Sequence, residues 1–148
     1  MKQTIYIMAL IIGMMACQKN EVSTNNDTTN NGTTTPISTI PLTDQTLLLT
    51  GTFTSGAHTT TGTVKVYEDK NKNRSLVFEN FKTDAGPDLR LYMAEDKVIT
   101  NFIEITDKVT TSGNYSIAIP ATVDLKKQNT IAIWCKSFAV LFGSATLK

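Results

Sequence analysis

Residues 130–147, TIAIWCKSFAVLFGSATL, form the densest apolar run outside the N-terminal segment and contain the single tryptophan of the chain. Side chains alternate between the two faces of a strand, which places Ile131, Ile133 and Cys135 on one face. Trp134 then lies on the other face. The alternation resumes a few residues later, a pattern typical of two buried strands joined by a tight bend, or of one long strand with a bulge. Strands this apolar belong at the centre of a sheet, so we expect the rest of the domain to fold around them.

Short alternating segments separated by polar turns continue this pattern towards the N-terminus. No window keeps the three-and-four spacing of an amphipathic helix for more than about one turn. Short strands with turns roughly every 8–12 residues are the signature of an antiparallel sandwich or barrel. We therefore predict an all-β fold, an antiparallel, barrel-like β-sandwich of about seven to eight strands. Besides the strands of the final stretch, the predicted strands are residues 47–54, 58–67, 74–81, 89–93, 98–105 and 115–119.

The N-terminal residues have the pattern of a secretory signal peptide. Lys2 is followed by an apolar run that ends at Ala16, and this run is shorter than the roughly 20 residues that span a bilayer. The junction Ala16-Cys17 resembles a bacterial lipobox, in which the cysteine becomes the acylated first residue of the mature protein. We expect residues 1–16 to be a signal peptide and Cys17 to carry the lipid that holds the protein on a membrane. The alternative is ordinary cleavage near Ala16, which would leave Cys17 as a free thiol.

Residues 17–40 are predicted to be a disordered tether. Residues 23–35 are almost all Thr, Asn, Asp, Ser and Gly, a composition that cannot bury apolar surface. Residues 18–21, QKNE, resemble the signal that sends lipoproteins to the outer surface in Bacteroidetes-type bacteria, and a plain polar tether is the alternative. Residues 27–29, DTT, resemble an O-glycosylation site. We expect an exported protein, lipid-anchored to the outer membrane and facing the periplasm or the surface, with its folded domain over residues 41–148.

Charge and motif content exclude several classes of function. One of the 14 basic residues, Lys2, lies in the leader, so 13 remain against 13 acidic residues and the formal charge is zero. Without a basic stripe, binding to nucleic acid through counterion release is not expected. The chain lacks a glycine-rich phosphate loop, a Gly-x-Ser-x-Gly elbow, Cys-x-x-Cys and His-Glu-x-x-His. Conventional hydrolase or transferase activity is not predicted, and whether the protein is an enzyme stays open.

Three residues of the domain are candidates for chemistry. Cys135 has no intramolecular partner once Cys17 is acylated, which needs an explanation in an exported protein, although a free cysteine among apolar neighbours is usually an inert core residue. His58, the single histidine, could ligate a metal or heme iron through its imidazole, or could hydrogen-bond a loop carbonyl. Trp134 could stack on a sugar or a porphyrin, or could pack in a second layer.

Four motifs occur in order along the domain. They are Gly51-x-Phe53 followed by His58 and Gly62-x-Val64-x-Val66; Leu76-x-Phe78-x-Asn80-Phe81; Gly86-Pro87-Asp88-Leu89-x-Leu91-Tyr92; and Ile133-Trp134-Cys135 followed by Phe138-x-Val140-x-Phe142-Gly143. Together these motifs resemble the electron-transfer DM-thirteen domain over about residues 45–148. One difference from many members is that Lys82-Thr83-Asp84-Ala85 stands where they have an acidic-Gly pair.

The resemblance implies an all-β domain with a redox role for its nearly invariant cysteine, which here is Cys135. That cysteine would act as a bare thiol or would hold a prosthetic group such as heme, with His58 and Trp134 as further candidates for binding the group. The alternative function is a non-enzymatic surface binding or adhesion module in which Cys135 is only a core residue.

Overall fold

The computed structural model describes residues 44–148, and this part of the chain forms nine strands in two antiparallel sheets with no α-helix. The first sheet has the order β1-β3-β4-β7 and the second the order β2-β9-β8-β5-β6. The predicted all-β sandwich is therefore confirmed. The strands are β1 (Thr46–Thr52), β2 (Thr54–Ser55), β3 (Thr60–Glu68), β4 (Arg74–Thr83), β5 (Leu89–Ala94), β6 (Ile103–Thr106), β7 (Ser112–Ile119), β8 (Thr130–Cys135) and β9 (Val140–Thr146).

The predictions that concern residues 1–43 lie outside the described residues. They are the signal peptide over residues 1–16, the lipidated Cys17 and the tether over residues 17–40. Within residues 44–148, no helix is both long and apolar enough to cross a membrane.

The final stretch forms two adjacent strands, as one of the two interpretations of its sequence predicted. β8 and β9 pair in an antiparallel hairpin that begins at Cys135 opposite Val140. A register shift between Ile133 and Trp134 also places a bulge in this pair. Phe138 lies in the connecting turn and is 68% exposed, so it is not part of the buried alternation.

One predicted strand is shorter than expected. Of the predicted strand 98–105, only its C-terminal part is extended, as part of β6. The preceding residues turn because Asp96 Oδ1 accepts the backbone N–H groups of Val98 at 3.1 Å and Thr100 at 3.0 Å. A carboxylate that bonds the backbone two residues on favours a turn over a strand ladder.

The two sheets meet along one edge, which gives the sandwich its barrel-like closure. The chain leaves the first sheet after β1, crosses at the buried Phe53 and enters the second sheet as β2. Backbone hydrogen bonds of 3.0 and 2.9 Å join Thr50 to Lys148 across the seam. Gly51 permits this approach, since a Cβ at that position would lie 2.8 Å from the carbonyl oxygen of Thr146.

The core fills the space between the sheets with aromatic and branched side chains. Phe78 is fully buried and stacks on Tyr115 at 4.5 Å between ring centroids. Phe81 packs edge-on against Phe78 at 5.3 Å, and Ile131 and Ile133 are fully buried on the opposing sheet. Such aromatic pairs stabilise a core by about 0.5–1.5 kcal/mol beyond the area that they bury.

Candidate functional site

Cys135 ends β8 at one end of the sandwich, and its side chain lies in the core. Its cross-strand neighbours are Leu89 in β5 and Val140 in β9. The thiol is free and the residue is 0% exposed. The predicted face is therefore correct, and the structure encloses the thiol completely.

His58 lies in the loop between β2 and β3, at the surface. Its Nδ1 is 3.3 Å from Asp84 Oδ2, where the ring N–H donates to the carboxylate. The imidazole also stacks on the ring of Phe142, with 3.9 Å between centroids and an interplanar angle of 27°. Phe142 is 2% exposed and belongs to the same core cluster as Cys135. His58 thus covers a side chain of the core that surrounds the thiol, and no hydrogen bond between described residues joins His58 to Cys135 itself.

A pair of buried threonines holds the two loops that carry His58 and Asp84. Thr60 at the start of β3 is paired with Thr83 at the end of β4. Their hydroxyl oxygens are 2.9 Å apart, and the residues are 1% and 6% exposed. Because His58 precedes Thr60 by two positions and Asp84 directly follows Thr83, this pair brings the imidazole and the carboxylate together.

The segment 84–88 connects β4 in the first sheet to β5 in the second, and it lies against the same end of the core. A Cβ at Gly86 would be 2.8 Å from Leu89 Cδ2 and 3.0 Å from Phe142 Cζ, so a larger residue here would have to displace the tips of these two side chains. The backbone N–H of Lys136 donates to the Asp88 carbonyl at 2.9 Å. The segment therefore contacts Leu89 and Phe142 and is also joined to the residue that follows Cys135.

The family described as Electron transfer DM13 matches the chain over residues 52–147, more than half of its 148 residues. The chain belongs to the DM13 family. No curated protein and no solved structure shows a significant match to it. The resemblance inferred from the four motifs is thus confirmed, and the family suggests a role in electron transfer.

The fold of this DM13 domain brings parts of three of the four motifs together at one end of the sandwich. His58 comes from the first motif, Gly86 and Leu89 from the third, and Cys135 and Phe142 from the fourth. The Phe78 and Phe81 rings of the second motif lie in the shared core. Residues that are up to 84 positions apart in the chain, from 58 to 142, thus form one cluster.

Trp134 is not part of this cluster. It is half-buried on the outer face of the second sheet, opposite Arg90 in β5 and Leu141 in β9. Arg90 is fixed there by Asp88 at 2.5 Å and Glu104 at 3.0 Å. The hydrogen bond from Arg90 holds the pKa of the Asp88 carboxyl below its ordinary value. The structure therefore separates Trp134 from the thiol, and the sheet lies between them.

The residues around Cys135 do not fit a heme. A heme needs its axial ligand to face an open, suitably shaped pocket, and Cys135 is fully enclosed by protein. Two clefts of the described chain, of about 380 and 260 Å³, are lined by neither Cys135, His58 nor Trp134. Nor do three or more His, Cys, Asp or Glu side chains of residues 44–148 converge as a metal site.

Sequence reasoning missed the role of Asp84, which it noted only within the difference from the family pattern at residues 82–85. The pairing with His58 spans 26 positions, and no local pattern predicts it.

Proposed function

We propose that this protein is an exported lipoprotein, anchored to the outer membrane through lipid on Cys17, whose DM13 domain transfers electrons through the bare thiol of Cys135. Family membership over residues 52–147 supports the electron-transfer role. We choose Cys135 as the redox residue because residues of several family motifs lie close to it in the fold. The leader pattern and the Ala16-Cys17 junction support the anchor.

The chemistry that a lone thiol can perform without a prosthetic group is exchange with a disulfide. The thiolate of Cys135 attacks one sulfur of a partner's disulfide, a mixed disulfide forms, and the other sulfur leaves as a thiolate. The proton of Cys135 passes to solvent. A dithiol of a second partner completes the transfer. One of its thiolates attacks the partner's sulfur in the mixed disulfide, and Cys135 leaves as a thiolate. The other thiolate of the dithiol then displaces that partner sulfur, so the dithiol becomes a disulfide and its two electrons reduce the first partner's disulfide to two thiols.

This chemistry requires Cys135 to become accessible, since the thiol is 0% exposed in the closed domain. Local opening of loops and strand ends occurs in folded proteins at a lower free energy than global unfolding. The turn 136–139 and the segment 84–88 are the exposed loops next to Cys135. Exchange is therefore expected to be slow and limited by opening.

The test uses the full chain with Cys17→Ser, which leaves Cys135 as its single thiol. The folded protein is incubated with oxidised glutathione, and the mixed disulfide is followed by intact mass at several pH values. We expect a mixed disulfide to form under native conditions, more slowly than in urea, and to be absent in Cys17→Ser/Cys135→Ala. Formation only at denaturant concentrations that unfold the whole domain would refute the role of Cys135.

The second candidate function is a non-enzymatic binding module, and the complete burial of Cys135 favours it. A groove of about 380 Å³ on the seam between the sheets offers a place for a ligand. Threonines 50, 52, 54 and 146 line it together with Lys97 and Lys148, and neither lysine forms an ion pair with another described residue. Glycan binding that is lost in Lys97→Gln, in a protein whose Cys135 stays unreactive, would favour this function over electron transfer.

A further inference from the structure

The segment 84–88 packs against Leu89 and Phe142 at the end of the core at which Cys135 lies, and few contacts hold it there. Its Gly86 packs against Leu89, the strand neighbour of Cys135. Among the described residues, the one backbone hydrogen bond that the segment makes outside the strands is the bond from Lys136 to Asp88. Side-chain contacts between His58 and Asp84 and between Arg90 and Asp88 add to this bond.

His58 contacts this end of the core at two points. Its Nδ1 bonds the carboxylate of Asp84, at the start of the segment. Its ring face covers Phe142, and the tip of the Phe142 ring lies against Gly86 in the middle of the segment. The backbone N–H of Gly56 donates to the Phe142 carbonyl at 2.7 Å and so holds the loop of His58 to β9. One side chain of the β2–β3 loop thus secures both the segment and the ring beneath it.

We propose that the contact of His58 with Asp84 and Phe142 is a latch that keeps the segment 84–88 closed over Cys135, and that release of this latch is the route by which an external disulfide reaches the thiol. The inference deepens the proposed function and rests on it for its biological purpose. Whether the contact of His58 keeps the segment closed can be tested independently of the proposed function, since access to Cys135 can be measured with any thiol reagent.

The strength of the latch follows from its two contacts. An exposed pair such as His58 and Asp84, 43% and 52% exposed, contributes little, and its loss would shift the opening equilibrium about 1.4- to 5-fold. A stacked ring pair is stronger. Removing both contacts should therefore shift the opening equilibrium of the segment by about 3- to 70-fold. A latch of this size can be released without unfolding the domain.

The experiment measures alkylation of Cys135 by a neutral maleimide in the full chain with Cys17→Ser, at fixed pH and in low urea. Asp84→Ala removes the carboxylate, His58→Phe keeps the stack without the contact to Asp84, and His58→Ala removes both. The matched control is Glu79→Gln, which weakens the 2.8 Å contact with Lys65 on the outer face of the first sheet. The free energy of global unfolding is measured for each variant in parallel.

We expect Asp84→Ala and His58→Phe to accelerate alkylation by about 1.4- to 5-fold, and His58→Ala by about 3- to 70-fold. Glu79→Gln should leave the rate unchanged. The acceleration should exceed what any loss of global stability explains and should depend only weakly on urea, as local opening does. The latch is wrong if the His58 and Asp84 variants are alkylated no faster than Glu79→Gln, or only in proportion to their loss of global stability.

Failure of the latch and failure of the proposed function are distinguishable in the same proteins. Alkylation that follows the expected order, without exchange with oxidised glutathione in any variant, would refute electron transfer through Cys135 and support the latch. Native-state exchange that has the same rate in the parent protein and in the His58 and Asp84 variants would support electron transfer and refute the latch.

Discussion

The buried hydroxyl pair beneath the candidate site allows a quantitative test of how His58 and Asp84 are held. Thr60 and Thr83 are 1% and 6% exposed, and their hydroxyl oxygens lie 2.9 Å apart. Thr60→Val removes one hydroxyl at nearly constant shape and leaves the Thr83 hydroxyl buried without this partner. An unsatisfied buried polar group costs about 1–3 kcal/mol, so we expect the free energy of unfolding to fall by about 2 kcal/mol. Thr83→Val should have the same effect, because it leaves the Thr60 hydroxyl buried without this partner.

The double variant Thr60→Val/Thr83→Val should be much more stable than the sum of the single changes predicts. Replacing both partners by apolar groups of the same shape is nearly neutral, so we expect a loss of less than about 1 kcal/mol. The coupling energy between the two positions should then be about 3 kcal/mol.

Urea unfolding followed by the fluorescence of Trp134, the single tryptophan, gives these free energies directly, and an unchanged m-value shows that the comparison is valid. In a domain of this size, each single variant should also melt roughly 8–16 °C below the parent. Thr61→Val, at the exposed neighbour of Thr60 in the same strand, is the control and should change stability by no more than about 0.5 kcal/mol. Additive losses in the double variant would show that the two hydroxyls are satisfied independently, and the argument that they position the site would fail.

Three further outcomes follow from the packing around the site. Gly143→Ala should lower the melting temperature sharply and reduce the free energy of unfolding by about 1–3 kcal/mol or more. The reason is that the new Cβ would lie 2.3 Å from Thr60 Cβ in a filled core. A melting temperature equal to that of the parent would contradict this packing. Cys135→Ser should be less stable in urea than Cys135→Ala by about 1 kcal/mol or more, because it buries a hydroxyl without a partner, and a Ser variant as stable as the Ala variant would show that a polar partner exists. Burial raises the pKa of the Tyr115 phenol well above its ordinary value. The unfolded chain therefore loses this proton first, and stability that is fully present below about pH 10 should decline as the pH rises further. Tyr115→Phe, which also removes the bond to the Thr110 carbonyl, should weaken that decline in urea titrations between about pH 8 and 11, and an identical decline in the variant would refute the assignment to Tyr115.

The strands of the final hairpin were predictable because their signal is local. A period of two over a strongly apolar stretch assigns faces without knowledge of the rest of the chain. The assignment of Cys135 to one face and Trp134 to the other is the same as that in the structure. The extent of the strand predicted at 98–105 was wrong in part, since the side chain of Asp96 competes locally for the backbone that a strand would use.

The composition of the candidate site was not predictable in the same way. The contact of His58 with Asp84 depends on the register of β3 against β4, and this register contains a shift between Thr61 and Thr63. A single sequence does not specify such a shift, and moving one strand by a residue would turn every side chain to the other face. The motifs identified the family and its cysteine, whereas the partners of His58 required the structure.

The enclosure of Cys135 would protect its unpaired thiol in the oxidising compartment that an exported protein, as proposed above, would occupy. Oxidation of a cysteine follows its thiolate character and its exposure, so a thiol that is 0% exposed is protected while the domain is closed. If the thiol is redox-active, the same closure limits its reaction, and its rate should follow the latch formed by His58 and Asp84. If Cys135 is only a core residue, release of the latch changes its access to reagents and has no functional consequence. The dependence of alkylation on Asp84 therefore tests the latch, because Asp84 can be changed without removing any part of the core, whereas native-state exchange with a disulfide tests the redox role of Cys135.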